Sequence, residues 1–455
     1  MDTSTIAALS TPMGRGGIAV IRISGQKTVD ILRKIFDKLP RRIVPRRTYH
    51  GFIKEKGRHI DECLAVFFQA PNSYTGEDAA EISIHSSPFI IEEVLNLILS
   101  LYPTEVRAAL PGEFTYRAFK NGKLDLIQAE SVNELINANS KYYAHMKFGS
   151  LEGKLSSFMT ALKEDLINLG VQIETKIEFE EDQFFDEITI ARHLDEPLKK
   201  LDTLLNNARF NDLLNKGLNV VIAGKVNVGK SSLFNTLLME ERSIISAVPG
   251  TTRDFIREKL FIDGFPIDIT DVAGINRETE DHIETLGIQR SLEKLENADA
   301  VIFMLDVSRP VDDTDKSIYE RIKNKKKLIL VNKMDIGEQE TAAHISSFFA
   351  GETIVYISVR EHVNIDAVTR FLEGLIRDVK TREAEYTVNQ RQKHLLEQLR
   401  AVLMEVRRIT EVRGGQAEIA AEEIRRAVQF IGELMGEITP DDILNRIFSQ
   451  FCVGK

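Results

Sequence analysis

The stretch Gly224-Lys225-Val226-Asn227-Val228-Gly229-Lys230-Ser231 decides how this chain is read. It follows the mostly apolar run Leu218–Ala223, which reads as a strand, and it precedes Ser232–Met239, which reads as a helix. Strand, glycine-rich loop and helix in that order are the setting a phosphate-binding loop requires. Gly224 and Gly229 let the backbone curl so that successive N–H groups and the helix N-terminus face an anion. Lys230 can reach β- and γ-phosphates, and the Ser231 hydroxyl can ligate Mg²⁺.

Three later strings specify the base. Asp271-Val272-Ala273-Gly274 closes the strand-like Pro266–Thr270, where an aspartate can hold the Mg²⁺ shell and a glycine N–H can meet the γ-phosphate. Asn332-Lys333-Met334-Asp335 closes Lys327–Val331, and a carboxylate there can accept both N1–H and N2–H₂ of guanine. Ser358-Val359-Arg360 follows Thr353–Ile357 and would close over the base. Each string is common by chance. Appearing in order, each at the end of an apolar strand, they define a guanine-nucleotide site, and the segment resembles a GTPase domain of the translation-factor type.

The 455 residues suffice for two to four domains with cores of their own. A hydrophobic content of 43% and a charged content of 28% describe a soluble globular chain. The formal net charge of −10 supplies no global basic field for nucleic acid, so RNA contact needs a local patch or a partner. The cluster Arg41, Arg42, Arg46, Arg47, Lys54, Lys56, Arg58 is one candidate, though a solvated loop and hairpin surface accounts for it better. Cys63 and Cys452 form neither a metal spacing nor a disulfide framework, and Cys63 reads as a core thiol. No signal segment and no run of about 18–20 apolar residues is visible, so a cytoplasmic protein without a membrane span is expected.

Residues 1–120 read as short strands and helices: strands at Ile18–Ile23, Glu62–Phe68 and Ala80–Ile84, helices at Lys27–Phe36 and Pro88–Ser100. Two polar constellations, Ala70–Asp78 and Pro111–Phe119, read by themselves as turns between elements. Long helices follow at Lys123–Ala138 and Phe158–Phe179, the latter with the stripe Leu162, Leu166, Leu169, Ile173, Ile177. The acidic run Glu178–Glu187 reads as a solvated helix connection. Helical pattern resumes at Asn389–Arg413, Ala417–Gly432 and Asp441–Ser449. The expected organisation is an α/β domain over 1–120, a first helical part over 121–216, an inserted Ras-like α/β GTPase over 217–378, and a second helical part over 379–455. The flanking helical parts are expected to form one bundle. The chain stops at Phe451-Cys452-Val453-Gly454-Lys455, directly after an apolar helix, which points to a functional end.

With those residues in view, the chain resembles the tRNA-modification GTPases of the MnmE (TrmE) family along almost its full length. The motifs that carry the resemblance are Thr11–Gly17 with Arg22-Ile23-Ser24-Gly25, Pro71–Asp78, Pro111–Phe119 with Asn121–Asp125, Gly250-Thr251-Thr252-Arg253-Asp254, and the terminal Phe-Cys-Val-Gly-Lys. Departures are Ile84-His85-Ser86-Ser87 in place of a Gly-His-Gly-Gly turn, Leu110 in place of an arginine, and Gln392 in place of a histidine. Val359 and Arg360 also stand where alanine and lysine are usual. The resemblance implies an N-terminal folate-binding α/β domain through which the chain dimerises, a helical domain and an inserted GTPase.

For the GTPase, the resemblance implies GTP contacts at Asn227, Val228, Gly229, Lys230, Ser231 and Ser232, and at Ser246, Ala247, Val248, Pro249, Gly250, Thr251 and Thr252. The contacts continue through Asp271, Val272, Ala273, Gly274, Asn332, Lys333, Met334, Asp335, Ser358, Val359 and Arg360. Ile275 stands where many small GTPases carry a water-positioning glutamine, and its apolar side chain cannot take that role. By resemblance the water is oriented by Glu284 instead. K⁺ replaces an arginine finger, with Asn227, Ser246, Val248 (through its carbonyl) and Thr251 as ligands. Ser231 and Thr252 would hold Mg²⁺.

A tetrahydrofolate needs cations for its glutamate tail and a carboxylate for the pterin edge. The family positions are Arg22, Glu81, Lys123 and Lys455, with Cys452 as either a one-carbon-transfer participant or a small packing residue. The implied reaction modifies C5 of the wobble uridine (position 34) of certain tRNAs. A one-carbon unit from 5-formyl- or methylene-tetrahydrofolate is joined to glycine or ammonium, giving a carboxymethylaminomethyl or aminomethyl group. Redox chemistry falls to an FAD-dependent partner of the MnmG (GidA) type. The alternatives are a ribosome-assembly or regulatory GTPase, and a folate-binding scaffold with a degenerate GTPase; the intact Lys230, Ser231, Asp271 and Asp335 oppose the latter.

Overall fold

Among the described residues, short β-branched runs and glycine turns become two six-stranded sheets, each in a different compact unit. The computed structural model describes residues 3–178, 193–206, 217–240, 257–262, 264–271, 293–380, 386–410 and 417–455. One unit comprises Met1–Ile136, Lys147–Thr203 and Gln390–Lys455; the other comprises Asn137–Met146 and Leu204–Asn389.

The first sheet contains β1 (Thr5–Leu9), β2 (Gly16–Ser24), β3 (Thr48–Glu55), β4 (Arg58–Phe68), β5 (Ala79–Ser86) and β6 (Val106–Ala108), in the order β3-β4-β5-β2-β1-β6. Every described pairing is antiparallel except β1 with β6. Alternation along β2 and β5 sends Ile21, Ile23 and Ile82 inward, where they meet Ile31 of α1 (Thr28–Ile35) and Ile91 and Ile98 of α2 (Pro88–Ser100). Lys56 and Gly57, both at positive φ, make the two-residue turn from β3 to β4. Arg41, Arg42, Arg46, Arg47, Lys56 and Arg58 are exposed on this hairpin and the loop before it, as a solvated surface requires. Cys63 is buried on β4, and burial, aided by Asp61 and Asp37, pushes its thiol up to about 12.

Pro111–Phe119 is not a turn. After Gly112, at φ 70°, residues Glu113–Lys120 form α3. Helical spacing puts Phe114 and Ala118 inside, and Glu113 pairs with Arg117 one turn on at 2.8 Å. Tertiary burial of that face overrides the turn chemistry of Pro111-Gly112.

The helical part of this unit begins with α4 (Leu126–Ile136), later than its sequence pattern suggests, because Asp125 caps it. The Asp125 carboxylate accepts the Gln128 amide at 2.8 Å while the Gln128 side chain accepts the Asp125 amide at 3.0 Å. The chain continues through α5 (Lys141–Leu151), whose residues up to Met146 fall in the second unit, then α6 (Lys154–Glu178) and a helical stretch over 193–206, of which 193–203 belong to the first unit. Leu162, Leu166, Leu169 and Ile173 of the α6 stripe are buried; the side chain of Ile177 and nearly all of the acidic run lie outside the described residues. After the second unit come α11 (Gln390–Thr410), α12 (Ala417–Met435) and α13 (Asp441–Phe448). Helices α6 and α12 approach closely enough that a Cβ on Gly170 would lie 3.2 Å from Ile424. The two flanking stretches thus pack as one bundle, closed by the buried Glu130 of α4. It accepts Nε and Nη2 of Arg391 at 2.6 and 2.9 Å and Nε2 of Gln392 at 2.7 Å.

The second unit alternates strand and helix. In chain order it runs β7 (Leu218–Ala223), α7 (Lys230–Glu240), β8 (Arg257–Ile262), β9 (Phe265–Asp271), β10 (Ala300–Asp306) and α8 (Asp313–Ile322). It continues with β11 (Lys326–Asn332), α9 (Gln339–Phe348), β12 (Ile354–Tyr356) and α10 (Asp366–Lys380). The sheet order is β12-β11-β10-β7-β9-β8, parallel apart from β8 with β9. Strand β10 is buried along its whole length, so its two faces feed two apolar cores, Ile302 and Met304 into one and Val301 and Phe303 into the other. This doubly wound parallel architecture puts a ligand site at the carboxyl ends of the strands. Among the described residues no helix is long and apolar enough to cross a membrane.

Candidate functional site

The nucleotide motifs stand at those strand ends. Gly224, Asn227 and Gly229 have φ of 148°, 64° and 103°, which makes the loop between β7 and α7 a tight curl. Its glycines are required by space as well as by angle. A Cβ on Gly224 would lie 2.4 Å from the Met304 carbonyl, and one on Gly229 would lie 2.3 Å from Asn332 Nδ2. Lys230 is buried, and its ammonium donates to the carbonyls of Gly224 at 3.0 Å and Lys225 at 2.8 Å. Ser231 and Ser232 follow on the first turn of α7, at the positive end of the helix dipole. Val228 is buried, and Asn227 is exposed at the apex.

Asn332 joins this loop to the loops that follow β11 and β12. Its Nδ2 donates to the Val228 carbonyl at 2.8 Å and its Oδ1 accepts the Val359 amide at 3.1 Å. Beside it, Ser358 donates to Asp335 Oδ1 at 2.7 Å, and the Met334 amide donates to the Ile357 carbonyl at 3.1 Å. One asparagine and one serine therefore lock the three loops into a single frame. Arg360 stays exposed beside Glu361. Asp271 ends β9 in register with Ile222 of β7. Ser246–Thr252, Val272–Gly274 and Glu284 lie outside the described residues.

Sequence reading assigned no role to five charged residues that meet beside these loops. Lys225 is buried, and its ammonium meets Asp312 Oδ2 and Asp315 Oδ2, each at 2.6 Å. Burial opposes that charge, but the two carboxylates outweigh it and hold the ammonium above its usual range. Asp306 ends β10 and accepts Lys333 Nζ at 2.6 Å. Burial works against its ionisation too, and Lys333 and Ser308 outweigh it, so the carboxyl sits below its usual range. Arg309 donates to the Val226 carbonyl at 3.2 Å. The signal for Asp306 was available: like Asp271, it is an aspartate at the end of an apolar strand.

A second constellation lies in the first unit, where the C-terminal residues are laid against β1 and α3. The Gly112 amide donates to the Cys452 carbonyl at 3.4 Å, the Phe114 amide to the Lys455 carbonyl at 3.2 Å, and Ser10 Oγ to the Gly454 carbonyl at 3.1 Å. Close backbone approach again demands glycine. A Cβ on Gly454 would be 2.2 Å from the Leu9 carbonyl, and one on Gly112 would be 2.4 Å from the Phe448 carbonyl. Phe448 and Phe451 are buried with Leu126, Ala129 and Leu444, which anchors the segment.

Arg22, Glu81 and Lys455 converge here. Arg22 pairs with Glu81 across β2 and β5 and donates Nη1 to the Gly454 carbonyl at 3.3 Å, with its guanidinium over the Tyr74 and Phe114 rings. Burial, and then the Arg22 charge, hold the Lys455 amine below its usual range. Lys123 is placed differently, donating to the Pro71 carbonyl at 3.1 Å on the loop that also carries Tyr74. Exposed Cys452 lines a cavity of about 700 Å³ with Leu9, Met13, Leu95, Val453 and Lys455. The lining is mostly apolar, with Lys455 among its residues.

A mostly parallel sheet with a tight glycine-rich loop between β7 and α7 and an Asn-Lys-Met-Asp loop after β11 defines a P-loop GTPase domain. Residues 126–452 match the family described as MnmE helical domain, and residues 5–123 match the GTP-binding protein TrmE N-terminus. The tRNA modification GTPase MnmE of Thermotoga maritima is 38% identical over 454 residues, covering 99% of this chain and 100% of that protein. Its namesake from Aquifex aeolicus is 37% identical over 453 residues, covering 99% of each. A solved structure of Era with MgGDPNP and nucleotides 1506–1542 of 16S ribosomal RNA is 33% identical over the matched part. It covers 34% of this chain and 55% of that one, with a TM-score of 0.29. The chain belongs to the MnmE family of tRNA modification GTPases.

Proposed function

We propose that this GTPase installs a carboxymethylaminomethyl or aminomethyl group at C5 of the wobble uridine (position 34) in certain tRNAs, as a cytoplasmic homodimer working with an MnmG/GidA-type FAD protein. The functional division follows 1–120, 121–216, 217–378 and 379–455. The observation that supports the reading is the convergence of Arg22, Glu81 and Lys455 beside the apolar cavity at Cys452. A bound 5-formyl- or methylene-tetrahydrofolate would supply the one-carbon unit. Glu81 can accept from a pterin amide edge while the Arg22 guanidinium fixes the carboxylate's orientation. Lys455 and Lys123 offer charge to the glutamate tail, and Cys452 stands at the cavity where a reacting carbon would be held.

In the GTPase, Lys230 is the group for the β- and γ-phosphates, with Ser231 and Thr252 as Mg²⁺ ligands and Asp271 and Gly274 beside the γ-phosphate. Asp335 reads guanine, with Ser358 bonded to its carboxylate. Asn227, Ser246, Val248 and Thr251 form the K⁺ set, and Glu284 orients water. The exposed side chain of Asn227 at the loop apex suits an oxygen ligand for a large, weakly hydrated cation.

Mass spectrometry of tRNA nucleosides from cells lacking this protein, compared with complemented cells, tests the whole reading. Loss and recovery of aminomethyl-type wobble uridines is expected. Unchanged wobble uridines would instead make it a regulatory or ribosome-assembly GTPase.

A further inference from the structure

The segment 306–315, from the end of β10 into α8, touches both halves of the nucleotide site without belonging to either motif. Asp306 is in register with Asn332 on the neighbouring strand and is 6% exposed. Its Oδ2 accepts Lys333 Nζ at 2.6 Å, and its Oδ1 accepts the Ser308 amide at 2.9 Å and hydroxyl at 2.7 Å. Arg309 reaches the Val226 carbonyl with Nη2, while its Nε stands 3.7 Å from Asp306 Oδ2. Asp312 and Asp315 form the cap of α8: Asp312 Oδ1 accepts the Asp315 amide at 3.2 Å, and Asp315 Oδ2 accepts the Asp312 amide at 3.3 Å. The same two carboxylates grip Lys225. Residues 225 and 226 of the phosphate loop and 333 of the guanine loop are thus held by one short stretch of chain.

Stability alone does not account for this arrangement. Buried ion pairs return little net stability, because desolvation offsets their attraction. Asp315 Oδ1 and Arg309 Nε are buried without a hydrogen-bond partner, and such orphaned atoms in a native structure need a reason. What the network sets is position. Lys230 donates to the carbonyl of Lys225, so the residue gripped by Asp312 and Asp315 is also an acceptor for the ammonium that meets phosphates. On the other arm, Lys333 sits at φ 67°, and the ion pair fixes the path of its methylene stem beside the loop that carries Asp335.

We propose that segment 306–315 is a positioning element of the GTP site, in which Asp306 sets Lys333 for the guanine and Asp312 with Asp315 sets the phosphate loop through Lys225. Nucleotide affinity then depends on carboxylates that act through Lys333 and Lys225.

The test measures binding of a fluorescent GDP analogue to the full-length protein, its Asp306→Asn and Lys333→Met variants, and the double variant. Loss of a charge-assisted hydrogen bond that positions a binding group corresponds to a rise in Kd of about tenfold for Asp306→Asn. In turnover the effect is expected mainly in KM. The decisive reading is coupling: the double variant binds no worse than Lys333→Met alone, because Asp306 acts only through that lysine. The phosphate arm is read in the same way with Lys225→Met and Asp315→Asn, which keeps the idea testable if Asp306→Asn does not fold. A Kd unchanged within about twofold, or effects that simply multiply in the double variants, would overturn the proposal.

Discussion

Arg22 and Glu81 face each other across β2 and β5, and a single carboxylate oxygen, Oε1, accepts both Nε at 3.0 Å and Nη2 at 2.7 Å of the guanidinium. The third guanidinium nitrogen is given to the Gly454 carbonyl, so the strand pair and the C-terminal segment share one cation. This pairing makes the proposed folate positions interdependent. Glu81→Gln should weaken 5-formyltetrahydrofolate binding by about tenfold or more, the worth of a charged hydrogen bond, while leaving GDP affinity unchanged. Titration calorimetry with each ligand checks it, and unaltered folate binding would return Glu81 to a structural role.

Gly454 carries φ 92° and has no room for a Cβ beside Leu9. Gly454→Ala should cost roughly 1–3 kcal/mol of backbone strain or else lift Cys452–Lys455 off β1. Wobble-uridine modification would fall while GTP hydrolysis persists. Urea unfolding and tRNA nucleoside analysis read the two effects separately; full modification by this variant would mean the docked end is dispensable.

Potassium should be required for turnover. With Asn227 at the apex of the phosphate loop, GTP hydrolysis measured in K⁺ should greatly exceed that in Na⁺, and Asn227→Ala should erase the difference. Equal rates in the two salts would remove the K⁺ assignment.

Glu284→Ala should bind GTP normally and hydrolyse it about 10²-fold more slowly, the usual worth of a group that handles the attacking water. Rapid-quench single-turnover assays separate the two steps. A variant with parent-like turnover would remove the water-orienting role from Glu284.

Glu113 should act as a pH-dependent strut of the first unit. Burial would raise its carboxyl, but Arg107, the Leu110 amide and Arg117 outweigh burial and hold it below its usual range. A depressed folded-state pKa contributes stability that is fully present above the ordinary glutamate range and lost as pH falls through the folded value. The parent should therefore lose stability on acidification more steeply than Glu113→Gln, which should itself be less stable by about 3 kcal/mol near neutrality. Urea unfolding at neutral and acid pH measures both, and parallel pH profiles would exclude Glu113 as the titrating group.

Local chemistry made much of this architecture legible. Helix Pro88–Ser100 and strand Leu218–Ala223 stand where apolar spacing put them, because burial of a periodic face decides such elements. The phosphate loop was legible because its geometry needs glycine at fixed steps. Strand β1 and helix α3 were not: five residues of strand carry little pattern, and Pro111-Gly112 advertises a turn while tertiary burial of Phe114 and Ala118 builds a helix. Lys225 read as a loop lysine until Asp312 and Asp315, far along the chain, enclosed it.

By itself, then, the sequence determined short strands and helices in the first 120 residues, helical stretches before and after a strand-and-helix segment, and the glycine-rich loop after β7, since these rest on periodicity and on glycine-dependent turns within a few residues. Only the tertiary structure decided which charges meet. Arg22 with Glu81, Lys225 with Asp315 and Lys333 with Asp306 are pairings at long sequence separation, set by how the strands and loops pack. A charge on a strand end is indistinguishable from a solvated one until packing removes the water around it.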